Sequence, residues 1–90
     1  MNYCFVSGEI ISPINYSFVY NSKKHMSVLT FTISINTFCG NRTQFTVKAY
    51  DEKADFVYRF FSEKDFVCIC GWINSKINII IEEIEHISST

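Results

Sequence analysis

The sequence predicts a closed five-stranded Greek-key β-barrel, one domain over residues 1–90, with a single short helix between its third and fourth strands. Three observations carry this expectation. Apolar residues recur with a period of two in separate runs, the period changes once to the three-to-four spacing of a helix, and the order is three strands, a helix, two strands. An SH3-like barrel or an open roll also uses five strands, but a short helix after the third strand disfavours both.

The size agrees with a single domain. Ninety residues that are 48% hydrophobic, with three Gly and one Pro, fit one small folded unit better than disorder or a two-domain enzyme. Such a chain buries only about 60–65% of its unfolded surface, so contacts with another subunit or a ligand matter to its stability.

In the first run, Tyr3 to Ile10, the residues Cys4, Val6, Gly8 and Ile10 fall on one side and Tyr3, Phe5, Ser7 and Glu9 on the other. Gly8 within a strand marks a bend or a close backbone approach. Ser12, Pro13 and Asn15 interrupt the pattern, and Asn21, Ser22, Lys23 and Lys24 form a polar turn after the aromatic stretch Tyr16 to Tyr20. The second strand, Val28 to Phe38, alternates cleanly, with Leu29, Phe31, Ile33 and Ile35 on its apolar face. Cys39, Gly40, Asn41 and Arg42 connect it to an antiparallel third strand, Thr43 to Tyr50. There Phe45, Val47 and Ala49 point inward, and Gln44, Thr46, Lys48 and Tyr50 outward.

The period then changes. Asp51 to Phe61 reads as a helix whose buried stripe is Ala54, Val57, Phe60 and Phe61, with Asp51 and Glu52 favourably placed for its dipole. Ser62 to Asp65 turns the chain into a strand from Phe66 to Ile73. Asn74, Ser75 and Lys76 make a hairpin, and the last strand runs from Asn78 to about Ile87. This order is that of the OB-fold, the oligonucleotide- and oligosaccharide-binding barrel.

The formal charge is −1, so bulk electrostatics will not draw in a polyanion. The charges are nevertheless segregated. Lys23, Lys24, Arg42 and Lys48 fall in residues 21–50, which hold no acid, whereas the remaining residues carry four bases and nine acids and end in Glu82, Glu83 and Glu85.

Other chemistry is disfavoured. Cys68 and Cys70 are separated by one residue, which matches neither a zinc knuckle nor a redox pair, and Cys4 and Cys39 add no second close pair. With no secretory leader ahead of them, the four cysteines read as free thiols in a reducing compartment, and no metal or other cofactor is expected. His25 and His86 read as surface histidines. No apolar stretch reaches the length of a membrane span. A glycine-rich phosphate loop and a nucleophile elbow are both missing, so the chain is not read as an enzyme.

Four segments together resemble the bacterial-type single-stranded DNA-binding proteins, including their short plastid-encoded relatives and the primosomal replication protein of similar size. These are Cys4-Phe5-Val6-Ser7-Gly8-Glu9-Ile10, Leu29-Thr30-Phe31-Thr32-Ile33-Ser34-Ile35-Asn36, the ungapped run from Phe45 through Gly71, and Ile81-Glu82-Glu83-Ile84-Glu85. Their order and spacing carry the likeness. The resemblance implies sequence-nonspecific binding of single-stranded DNA in replication, recombination or repair; the thin core and the many outward aromatics add the expectation of a homodimer or homotetramer. The resemblance favours DNA over RNA, a choice the residues themselves leave open, because stacking platforms accept either base set. Together with the richness in Ile, Asn, Phe and Lys, it points to a plastid, and otherwise to the cytoplasm.

The chain also departs from the family pattern. Gln44 stands where the family has a stacking aromatic six residues before Tyr50, and Lys64 replaces the glycine of a Lys-Gly-Asp turn. The last hairpin is short, and no acidic partner-recruiting tail follows Glu85 before Thr90. These departures weigh against tight wrapping of DNA and a hub role, not against the barrel.

Binding a strand irrespective of its sequence requires flat aromatic surfaces for bases and nearby cations for phosphates. Tyr50 and Lys48 supply one of each on the outward face of the third strand, Trp72 a second platform and Phe5 a third. Lys23, Lys24 and Arg42 sit in the loops flanking the second strand. Stacking contributes about 1–3 kcal/mol per base and four cations limit the log–log salt slope to about three, so the expected affinity per subunit is roughly micromolar. The alternative is a barrel that presents the same aromatics to a protein partner, with nucleic-acid binding weakened or lost; Gln44 and the net charge favour it.

Overall fold

In the computed structural model the chain is described over residues 2–20, 23–36 and 40–87. Its elements are β1 (Tyr3–Ile10), β2 (Asn15–Tyr20), β3 (His25–Asn36), β4 (Arg42–Tyr50), α1 (Asp51–Phe60), β5 (Phe66–Ile73) and β6 (Ile79–His86). The sheet order is β1-β5-β6-β4-β3-β2, and β1 also pairs with β3. That last pairing closes a five-stranded barrel of β1, β5, β6, β4 and β3, the architecture expected from the sequence.

β2 is the difference. The aromatic stretch is itself a strand, antiparallel to the first half of β3 from Asn15↔Thr30 to Tyr20↔His25. β3 extends earlier than Val28 to receive it, and its second half meets β1 at Ser34↔Glu9 and Ile33↔Ile10. One long strand therefore serves two partners along the same edge. The helix thus follows the third barrel strand but the fourth strand in the chain. The expected continuation of β3 through Thr37 and Phe38, the Cys39 end of the next loop, and Asn21 and Ser22 lie outside the described residues.

Alternation places the core. Ile10, Leu29, Phe31, Ile33, Val47, Ala49, Val67, Ile69, Ile79 and Ile81 point inward, and Ala54 and Val57 of α1 close one end. The helical stripe requires one correction: Phe61 is buried at 7% exposure, but Phe60 is 54% exposed. Phe60, the last helical residue, lies about 120° around the helix from Ala54, whereas Phe61 is already extended backbone beyond the helix and turns its ring into the core.

Two glycines allow the closure. A Cβ at Gly8 would lie 2.1 Å from the Ser34 carbonyl oxygen, where β1 crosses β3, and one at Gly71 would lie 1.9 Å from that of Ile80, beside the bulge between Cys70 and Gly71. No side chain larger than hydrogen fits at either crossing. Backbone bonds pin the same corner: the N–H groups of Ile10 and Ile11 donate to the carbonyls of Asp65 and Thr32, both at 2.9 Å.

Candidate nucleic-acid interface

The outward face of β3 and β4 is a polar ribbon ending in an aromatic ring. The cross-strand pairs along it are Asn36↔Arg42, Ser34↔Gln44, Thr32↔Thr46, Thr30↔Lys48 and Val28↔Tyr50. Gln44 and Thr46 are exposed; Lys48 and Tyr50 are half-buried, with the inward Val47 and Ala49 fully buried between them. Eight residues at ~3.3 Å each separate Arg42 from Tyr50 by roughly 26 Å, room for several nucleotides.

Register extends this face sideways. Lys48 lies beside Ile80 across the parallel β4–β6 pair, Ile80 beside Trp72, and Trp72 beside Tyr3. Residues in register share a face, so Tyr3, Trp72, Ile80 and Lys48 form one outward row with Trp72 about 10 Å from Lys48. The Tyr3 and Trp72 rings are 4.9 Å apart at 30°. Tyr50 stands two residues along the chain from Lys48, at the N-terminus of α1.

The other expected residues lie around this centre. Arg42 is exposed at the far end of the ribbon, in a cleft lined by Ser7, Glu9, Ser34, Asn36 and Phe66. Lys23 and Lys24 are exposed just before β3, on the β2–β3 hairpin. Phe5 is 74% exposed on the outer face of β1, but it is in register with Cys70 and, beyond that, with Glu83. It therefore faces carboxylates, three strands from Lys48.

A second aromatic group lies on the opposite side of the β2–β3 hairpin. Tyr16 stacks on Tyr58 of α1 at 4.6 Å and 27°, and Phe18 meets Tyr16 edge-on at 5.4 Å. The Tyr16 hydroxyl donates to the Asp55 carboxylate, which also accepts from the Ser27 hydroxyl at 3.2 Å. That hydrogen bond, with burial adding to it, holds the Tyr16 phenol above its ordinary pKa of 10.0. Among the thiols, burial pushes Cys4 upward and nearby Cys70 adds to the shift. The signal for this second group was present in the alternation Tyr16, Phe18, Tyr20 against Asn15, Ser17, Val19, a strand pattern read only as an aromatic stretch.

No family model and no curated protein sequence matches the chain. Solved structures do. The SSB domain of a Synechococcus protein superposes with a TM-score of 0.80 at 14% identity, covering 96% of each chain. The second single-stranded DNA-binding protein of Mycobacterium smegmatis gives 0.70 at 16% identity, over 99% of this chain and 96% of that one. The single-stranded DNA-binding protein of Thermus aquaticus gives 0.80 at 13% identity; this chain is wholly covered but spans only 42% of that protein. With its closed barrel, its helix across one end and these three superpositions, the chain has the OB-fold of bacterial single-stranded DNA-binding domains.

Proposed function

We propose that the protein binds single-stranded DNA without regard to sequence, in support of replication, recombination or repair, and that it acts by binding rather than by catalysis. The observation that carries this reading is the outward row joining Trp72, through Ile80, to Lys48, with Tyr50 alongside. Aromatic platforms and a cation within one or two nucleotide lengths are what a flexible strand needs, and the fold's relatives are named for binding such strands. Charge segregation supports the assignment. The bases of residues 21–50 lie on the ribbon and hairpin, whereas four carboxylates, Glu52, Glu82, Glu83 and Glu85, against one base, Lys53, line a groove between α1 and β6. A polyanion is steered to the former and repelled from the latter.

The copies are proposed to associate through β1. Only Glu9 and Ile10 pair with β3, so among the described residues Tyr3 to Gly8 have a strand partner on one side alone. An open edge of that length, with Phe5 exposed beside it, invites a second strand. The likeness to a cyanobacterial domain and the Ile-, Asn-, Phe- and Lys-rich composition accord with a plastid setting. No helix among the described residues is long and apolar enough to cross a membrane.

The test is a fluorescence-anisotropy titration with oligo(dT), matched duplex and matched RNA at two salt concentrations. Micromolar binding to oligo(dT), weaker binding to duplex and RNA, and a salt slope lowered by about 0.7 in Lys48→Ala are expected. Equal affinity for single strand and duplex defeats the proposal.

A further inference from the structure

The β2–β3 hairpin has two faces, and the ribbon just described uses only one of them. On that face the register runs Tyr50, Val28, Ser17. Ser17 is flanked in sequence by Tyr16 and Phe18, whose side chains point to the other face, toward α1. β2 is the last strand of the sheet, so its outer backbone edge is open among the described residues. From Tyr50 to the second aromatic group is therefore a distance of two strands, about 10 Å, and a turn around that edge.

That second group is built to extend a stack. One face of Tyr58 is occupied by Tyr16, yet Tyr58 is 60% exposed and Phe18 58% exposed. The Tyr16–Tyr58 pair ends at an uncovered ring, the position a base would take. Arg59 lines the same depression, together with Tyr16, Phe18, Asp55 and Tyr58. Asp55 is engaged by two hydroxyl donors, which moderates its repulsion of a phosphate. The open edge of β2 supplies backbone N–H groups that phosphate oxygens accept from. Cations flank the passage at both ends, with Lys48 before it and Arg59 beyond.

We infer that a nucleic-acid strand held at Tyr50 and Lys48 continues around the β2 edge and stacks on Tyr58 and Phe18, so that the occluded length exceeds what the β3–β4 face alone can cover. This rests on the single-strand reading above. A protein partner is the less favoured occupant, because the rings are continuous with the ribbon around the β2 edge.

The experiment titrates oligo(dT) of increasing length into wild type, Tyr50→Ala and the double variant Phe18→Ala/Tyr58→Ala, with far-UV circular dichroism confirming the fold. Wild type should gain affinity with length beyond what fills the ribbon. The double variant should keep wild-type affinity for the shortest oligomers and lose at least about fivefold for the longer ones, the lower bound of one stacked base. Tyr50→Ala should weaken binding at every length. A Phe18→Trp variant gives an independent reading, since its added fluorescence should be quenched only by the longer oligomers.

If wild type binds and the double variant matches it at all lengths, this inference fails while the ribbon stands. A change in sedimentation of the double variant with unchanged binding assigns the rings to a protein interface and also overturns it. If wild type binds no oligomer, the single-strand reading itself falls.

Discussion

Lys64 and Ile77 occupy backbone positions that suit glycine. Lys64 has φ +81° in the turn before β5, and Ile77 has φ +60° in the hairpin before β6. For a side chain bearing a Cβ this region costs about 1–2 kcal/mol, and a β-branched residue fares worst. Each turn is nonetheless held by bonds that a glycine would keep. The Lys64 N–H donates to the Ile10 carbonyl at 2.7 Å, and the Ile77 N–H to that of Asn74 at 3.0 Å. Lys64→Gly and Ile77→Gly are each expected to raise stability by about 0.5–1 kcal/mol, after allowing for the greater freedom of glycine in the unfolded chain. Urea midpoints measured on the two variants check this; a fall in either midpoint contradicts it. The position of Lys64 was legible beforehand as a departure from a glycine-bearing turn. Ile77 gave no such sign, because a turn's handedness is not encoded in the hydrophobic period that located it.

At the scale of elements, the strands that alternate cleanly were readable and the one made mostly of aromatics was not. β3 and β4 present apolar residues at alternate positions over most of their length, so their faces follow from sequence, while their register comes from the pairing itself. β2 has little to bury; Phe18, Val19 and Tyr20 are all more than 45% exposed, and its reason to be extended lies in pairing with β3 and in Tyr16 packing on α1. That contact has a pH signature. Because the folded-state pKa of Tyr16 is raised, the stability it contributes is complete below pH 10 and is lost as pH rises through the shifted value. Wild type should be more stable than Tyr16→Phe at pH 7, and the gap should narrow above pH 10. Denaturation midpoints of both proteins across that range test it, and a gap that stays constant would show that the hydroxyl contributes nothing specific. The candidate site divided in the same way. Lys48 and Tyr50 could be placed on one face from β4 alone, whereas their proximity to Trp72 depends on Ile80 and a parallel pairing that no local pattern announces.

For the whole molecule, the thin core and the half-paired β1 lead to the same expectation. A domain of 90 residues with Tyr3 and Phe5 exposed along an open edge should gain from a second copy. Sedimentation at micromolar concentration is expected to give a dimer or larger species, and Phe5→Glu, placed beside Glu83, should shift it toward monomer. A single 10.5 kDa species for wild type rules association out. Association would also multiply affinity for a long strand by presenting several ribbons at once, without improving any single contact.

Closure between β4 and β6 rests on two residue pairs, Val47↔Ile79 and Lys48↔Ile80, far fewer than join β4 to β3. With the equally short β1–β3 crossing, this is one of the two seams where the cylinder is most easily parted, and Lys48 and Trp72 stand on opposite sides of it. A polymer laid across both residues would act as a suture, slowing amide–deuterium exchange at this seam and not at the β1–β3 one. Occupancy and mechanical integrity of the container would then be the same event, with an empty molecule breathing at the place where a full one is sewn shut.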